Sequence, residues 1–212
     1  ENLAEKAAIH INDTHPTMAI PELMRILLDE CGYGWDDAWE ITCKTLSYTN
    51  HTVLGEALEK WSIDLMRDVI PEIYAIIEKI NEKEYCELKD MGVAEDKING
   101  MRLIADGVVH MARLATYASV YVNGVAKLHT EILKDDDLNE WYQVYPERFQ
   151  NKTNGITHRR WLMQANPELA GLIDNTIGDG WRKEPLRLSE LMPYTSDKAF
   201  LDECAAVKQL KK

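Results

Sequence analysis

Three short apolar runs constrain this chain most. Ala7 to Ile11, Lys44 to Thr49 and Val120 to Val125 are each long enough for one strand and no more. Between them lie long stretches with helical spacing, such as Ile73, Ile76, Ile77 and Ile80 on one face after Pro71. Short strands separated by helices build a parallel sheet, because parallel neighbours need a crossover connection. The spacing therefore predicts a helix-rich α/β fold around a small, mainly parallel sheet of three or four short strands. The helical readings cover about Pro21 to Gly32, a helix capped near Asp36, Glu56 to Ile70 with an interruption before Ser62, Pro71 to about Leu88, Met101 to Ala118, Ala126 to Leu133, a short one to Tyr142, His158 to Ala165, Pro167 to Ile177, Leu186 to Met192, and one starting at Asp197. Lys89 to Gly100 reads as an irregular surface connection, and Gln150 to Thr157 as a loop.

Two of these runs end in a polar cluster, and a third such cluster lies further along the chain. Asn12-Asp13-Thr14-His15 follows the first and Asn50-His51-Thr52 the second, and a third cluster runs from Asn151 to Thr157. Polar residues beyond the carboxyl ends of parallel strands are where open α/β sheets place ligands. Asparagine and neutral histidine both donate and accept hydrogen bonds, as a sugar hydroxyl does. Read together, the clusters suit one ligand with many hydroxyls, a carbohydrate. Read separately, they are three capped turns.

Other chemistries fit less well. His10, Asp13 and His15 have a metal-like spacing, but no third loop supplies a matched ligand, so no metal site is expected. Arg159 and Arg160 open a helix, an arrangement that suits either an anion or surface ion pairs. No GxxxxGK[ST], GxGxxG or GxSxG string occurs. Glu56 and Glu59 share a helix face if that stretch is helical, and their pairing alone says little on an acidic chain. The net charge of -12 argues against nucleic acid or an anionic membrane as partner. No apolar run has bilayer length. The cysteines at 31, 43, 86 and 204 lack CxxC spacing, as expected of reduced thiols. The first residues are charged and then short-apolar, and the last read as mid-helix, which suggests a piece of a longer polypeptide.

The strings INDTHP, TNHT, NGVAKLH and FQNKTNGITHRRW occur in this order. In order and spacing they resemble an internal segment of the glycogen, starch and maltodextrin phosphorylases. The resemblance implies a fold of two Rossmann-like domains facing across a cleft, the glycosyltransferase-B arrangement. Residues 1–155 would be the last part of the N-terminal domain, and 156–212 crossover helices toward a C-terminal domain. It implies transfer of the terminal glucosyl unit of an α-1,4-glucan to phosphate, with pyridoxal phosphate as acid/base cofactor. His51 is implied as a catalytic-site residue, touching the sugar 6-hydroxyl with ring and backbone carbonyl. Asp13 and His15 would line the pocket beside the anomeric carbon, Asn154 would bond sugar hydroxyls, and Trp161 would lie near the cofactor. His158 departs from the family pattern, which has Pro there. The cofactor-anchoring lysine, the basic residues for substrate phosphate and a Gly-rich loop belong to family segments outside this chain, so the chain alone is expected to be inactive and to hold no cofactor. A cytoplasmic, effector-regulated homodimer is implied for the parent. The competing readings are a non-catalytic α-glucan-binding or scaffold domain of the same fold, and a metalloprotein built on His10, Asp13 and His15.

Overall fold

A computed structural model describes residues 2–212, which divide into two compact units, one ending at Asn154 and one running Gly155–Lys212. The first unit holds nine α-helices and seven strands among the described residues. In chain order they are α1 (Leu3–Lys6), β1 (Ile9–Asn12), α2 (Ala19–Arg25), α3 (Trp35–Thr45), β2 (Leu46–Asn50), β3 (Lys60–Ser62), α4 (Ile63–Val69), α5 (Pro71–Asp90), α6 (Glu95–Met101), β4 (Ile104–Ala105), β5 (Val108–His110), α7 (Met111–Ala118), β6 (Val122–Gly124), α8 (Lys127–Ile132), α9 (Asn139–Val144) and β7 (Phe149–Asn151).

Four strands form a fully parallel sheet in the order β1-β2-β6-β7. The helix-rich α/β class with a small parallel sheet is therefore the observed one. The central strand β2 buries four of its five residues, as expected for a strand covered on both faces. Edge strand β1 buries only Ile11. The core joins Ile11, Leu46, Tyr48 and Val122 of the sheet to Ile20 and Met24 of α2, Trp39 of α3, Ile77 and Ile80 of α5, and Leu114 and Tyr117 of α7. Each such side chain contributes roughly 1.5–3 kcal/mol of burial.

The structure corrects several sequence readings. Met101 to Ala118 is not one helix. It contains a hairpin, β4 and β5, turned by Asp106 and Gly107 at φ +52° and +76°. Two positive φ values in a two-residue loop match a type I′ turn, which Asp-Gly favours. Glu56 to Ile70 is interrupted before Ser62 as the spacing suggests, but the residues before the break are not helical through to it. Strand β3 pairs antiparallel with β5, and α4 starts only after Ser62, whose hydroxyl accepts from the Leu65 amide. This makes a second, antiparallel sheet of order β3-β5-β4. Within Lys89 to Gly100 lies most of α6, and Gly34 rather than Asp36 precedes α3. Phe149–Asn151, read partly as loop, is the fourth parallel strand.

The second unit is small and helical. α10 (Pro167–Ile177) starts where the Asn166 side chain accepts from the Leu169 amide, and α11 (Lys198–Leu210) where Asp197 accepts from the Ala199 and Phe200 amides. Its core is Ala170, Ile173 and the fully buried Trp181. The Trp181 indole N–H donates to Asp174 Oδ1 at 2.9 Å, and Arg182 pairs with the same carboxylate. His158 is buried here, edge-on to Trp181 with ring centres 6.0 Å apart. The residue standing where the family pattern has Pro is thus a core residue.

Candidate functional site

Because β1, β2, β6 and β7 are parallel, their carboxyl ends lie on one edge of the sheet. The register pairs Asn12 with Thr49, Thr49 with Asn123, Asn50 with Gly124, and Gly124 with Asn151. The polar clusters that are far apart in sequence therefore leave the sheet side by side. Three strand spacings make this row about 14 Å wide, enough for a monosaccharide ring with its hydroxyls.

The first loop is held by turn chemistry and one carboxylate. Asp13 has φ +61°, a conformation that Asp tolerates better than most residues, and its Oδ1 accepts from the Thr14 amide at 2.8 Å. The Asp13 amide donates to the Thr49 carbonyl at 2.9 Å, which ties the loop to β2. Buried Thr14 donates its hydroxyl to Glu59 Oε2 at 2.5 Å, and His15 Nδ1 lies 3.5 Å from the same oxygen. His15 itself is 76% exposed. Glu59 thus grips two consecutive residues of the loop.

The second loop begins at buried Asn50. Its Nδ2 donates to the Tyr48 hydroxyl at 3.1 Å, and its Oδ1 accepts from the Thr52 amide at 2.8 Å. Burial pushes the Tyr48 phenol well above its usual range, so it stays neutral. His51 is exposed, with Nε2 2.6 Å from Asn12 Oδ1. His10 Nε2 contacts the Thr49 hydroxyl, which also accepts from Asn123 Nδ2 at 3.1 Å.

The third loop is stitched to the end of β6. Asn123 Oδ1 accepts from the Lys152 amide at 2.6 Å, and the Val125 carbonyl accepts from the Asn154 amide at 2.8 Å. Asn151 Nδ2 donates to the Gly124 carbonyl and to Thr130 Oγ1, both at 3.1 Å. Gly124 permits this closeness: a Cβ there would collide with Thr130 Oγ1 and stand 2.9 Å from Thr130 Cα. With its backbone fixed, Asn154 leaves its side chain exposed at the loop tip.

The structure thus gathers Asp13, His15, His51 and Asn154 on loops along one sheet edge. Trp161 lies in the second unit, 62% exposed in the wide helical turn Arg159–Gln164. Arg159 Nη1 donates to the Arg182 carbonyl at 3.1 Å, a structural bond within that unit. Histidines 10 and 15 have different partners, Thr49 and Glu59, and among the described residues no group of three or more His, Cys, Asp or Glu is arranged to hold a metal. Sequence reasoning missed the bracing roles of Glu59, Asn123 and His129. Asn123 pairs with Thr49 at the same level of the sheet, a register that the spacing of the apolar runs does not give.

Over residues 1–212 the chain matches the family model described as carbohydrate phosphorylase. It is 51% identical over 212 residues to a glycogen phosphorylase of Bacillus subtilis (strain 168), covering 99% of this chain and 26% of that protein. It is 44% identical over 216 residues to the brain form of glycogen phosphorylase of Rattus norvegicus, covering 100% of this chain and 26% of the relative. It is 45% identical over 212 residues to the muscle form from Oryctolagus cuniculus, covering 98% and 25%. The chain spans about a quarter of the length of the curated relatives it matches.

Proposed function

The chain belongs to the carbohydrate phosphorylase family, and we propose that it forms the sugar-binding wall of an α-1,4-glucan phosphorylase. The observation that carries this reading is the convergence of Asn, Thr and His groups from parallel strands onto one sheet edge. Such groups match sugar hydroxyls, which need donors and acceptors at once. In the proposed reaction phosphate oxygen forms a bond to the anomeric carbon, the glycosidic C–O bond breaks, and the departing glucan oxygen gains a proton. The products are glucose 1-phosphate and a glucan one unit shorter.

His51 takes the catalytic-site role in this proposal. Asn12 Oδ1 accepts only, so the Nε2 facing it carries the proton and Nδ1 of the neutral ring is left as an acceptor. Asp13 and His15, fixed by Thr49 and Glu59, stand beside the anomeric carbon, and Asn154 binds hydroxyls. A preorganised wall of this kind holds the sugar in one orientation, which is the main service a positioning surface gives to a transfer reaction.

Pyridoxal phosphate, when bound, supplies a phosphate group able to exchange a proton with the substrate phosphate. The residues present fit its ring rather than its anchor. Trp161 offers an exposed indole face, and none of the residues assigned here supplies the amine that would tether the cofactor. Residues 156–212 are proposed as crossover helices leading toward the domain that does. The parent is proposed to be a cytoplasmic, effector-regulated homodimer acting on glycogen, starch or maltodextrin. Among the described residues no helix is long and apolar enough to cross a membrane.

The test is to assay glucose 1-phosphate release from glycogen and phosphate. The longer polypeptide containing this segment releases it, and the purified 212-residue chain does not. A longer polypeptide that binds glucan without phosphorolysis would establish the non-catalytic binding domain instead.

A further inference from the structure

Behind the third loop stands a histidine that touches no proposed ligand. His129 is the third residue into α8, counted from Ala126 at the cap. Its Nδ1 accepts from the Val125 amide at 3.1 Å. This resembles the backward reach of the third residue in a capping box, shifted one residue toward the N-terminus. The carbonyl of the same Val125 accepts from the Asn154 amide at 2.8 Å. One peptide unit on each side of Val125 is therefore engaged, the first by His129 and the second by Asn154.

The bond fixes the ring chemistry. A nitrogen that accepts from an amide N–H cannot carry a proton, so the neutral ring has its hydrogen on Nε2. That nitrogen is buried and without a partner among the described residues. An imidazole used only to fill space would have no need of a specific tautomer. The neighbouring Thr130 braces the same loop by a separate route, through Asn151 Nδ2, and the Asn123 side chain does so through the Lys152 amide. These two contacts hold the loop's base. The His129 contact leads to its tip.

We propose that His129 is a positioning residue for Asn154: its unprotonated Nδ1 anchors the Val125 N–H and so fixes the backbone torsions at Val125 that aim its carbonyl at the Asn154 amide. Its functional meaning rests on the reading of Asn154 as a sugar contact, but the geometry does not. Loss of the acceptor frees the torsions at Val125, so its carbonyl swings away and the Asn154 amide loses its partner, while the Gly124 carbonyl stays on Asn151 and Lys152. The base of the loop, on Asn123 and Thr130, stays in place.

The experiment compares amide hydrogen exchange by NMR in the 212-residue chain and three variants. His129→Asn keeps an acceptor near the place of Nδ1 while losing ring volume. His129→Gln moves the acceptor toward the place of Nε2. His129→Phe keeps ring volume and has no acceptor. The expected result is wild-type protection of the Val125 and Asn154 amides in His129→Asn, and exchange faster by about tenfold at both in the Gln and Phe variants, the loss of one ordinary hydrogen bond. The Tyr48 amide, which donates to the Tyr121 carbonyl at 2.8 Å within the sheet, is unchanged in all three and serves as the folding control. Imidazole ¹⁵N shifts of the wild type show Nδ1 unprotonated. Equal protection in the Phe variant and wild type, equal loss in all three variants, or a proton on Nδ1 would each overturn the proposal. Failure of the sugar reading is separately visible, as full phosphorolysis activity in an Asn154→Ala variant of the longer polypeptide.

Discussion

His51 and Asn12 meet across the carboxyl edge of the parallel sheet, with the imidazole Nε2 2.6 Å from the asparagine Oδ1. They are 39 residues apart in sequence and belong to the ends of adjacent strands. Parallel pairing alone brings them together, so the topology and the orientation of the candidate catalytic-site histidine are one fact.

Removing that partner changes function more than stability. Asn12 is exposed, so Asn12→Leu is expected to shift unfolding free energy by no more than about 0.5 kcal/mol. The ring of His51 loses its fixed tautomer, and KM for glucan in the longer polypeptide rises about three- to tenfold, the loss of one hydrogen bond. Urea denaturation and initial-rate kinetics on the same variant check both halves.

Gly124→Ala tests the close approach of β6 to α8. The added Cβ would meet Thr130 Cα at 2.9 Å as well as its hydroxyl, so backbone has to move. Destabilisation of about 1–3 kcal/mol is expected from such overpacking. Thr130→Ala in the same chain removes the hydroxyl but does not rescue it, since the clash with the Thr130 backbone persists. Full rescue by that second change would show that the side chain alone sets the spacing.

A pH dependence follows from Glu84 of α5. It is fully buried and neither carboxylate oxygen has a partner among the described residues. Burial pushes its carboxyl up from 4.5 to about 7, with Arg102 and Arg113 opposing. Below pH 4.5 it is protonated folded and unfolded alike. Between 4.5 and about 7 the unfolded chain ionises while the folded chain keeps the proton, so stability falls as pH rises, and above 7 the loss is complete. The full size is about 3 kcal/mol. Glu84→Gln removes this component, and urea melts at pH 5 and pH 8 should show the variant gaining most over wild type at pH 8. An identical change with pH in both proteins would refute the assignment.

The elements that were legible in the sequence share a reason. Ile73, Ile76, Ile77 and Ile80 have a clear helical period, and Asn166 with Pro167 marks a helix start by local chemistry. The polar clusters at 12–15 and 50–52 were legible because they interrupt apolar runs. The hairpin at 104–110 was not, because its apolar residues also fit a helical period, which masks the Asp106-Gly107 turn signal. Nor were the braces. Glu59 reaches Thr14 across 45 residues of sequence, and His129 acts through a peptide bond of Val125. Such roles depend on register, which no local pattern encodes. His158 carried a signal as a departure from the family pattern, but its place against Trp181 depends on the packing of the second unit.

The central claim is that this sheet edge holds the reacting glucosyl unit, and Asn154 at the loop tip tests it most directly. Asn154→Ala in the longer polypeptide, assayed for glucose 1-phosphate release beside the surface control Glu40→Ala, is predicted to lower kcat/KM by about tenfold to a hundredfold, the cost of roughly 1.5–3 kcal/mol of lost sugar contact. The control should stay within about twofold, as expected of a substitution far from any proposed contact. Equal rates in the Asn154→Ala variant and the unaltered enzyme would contradict the account.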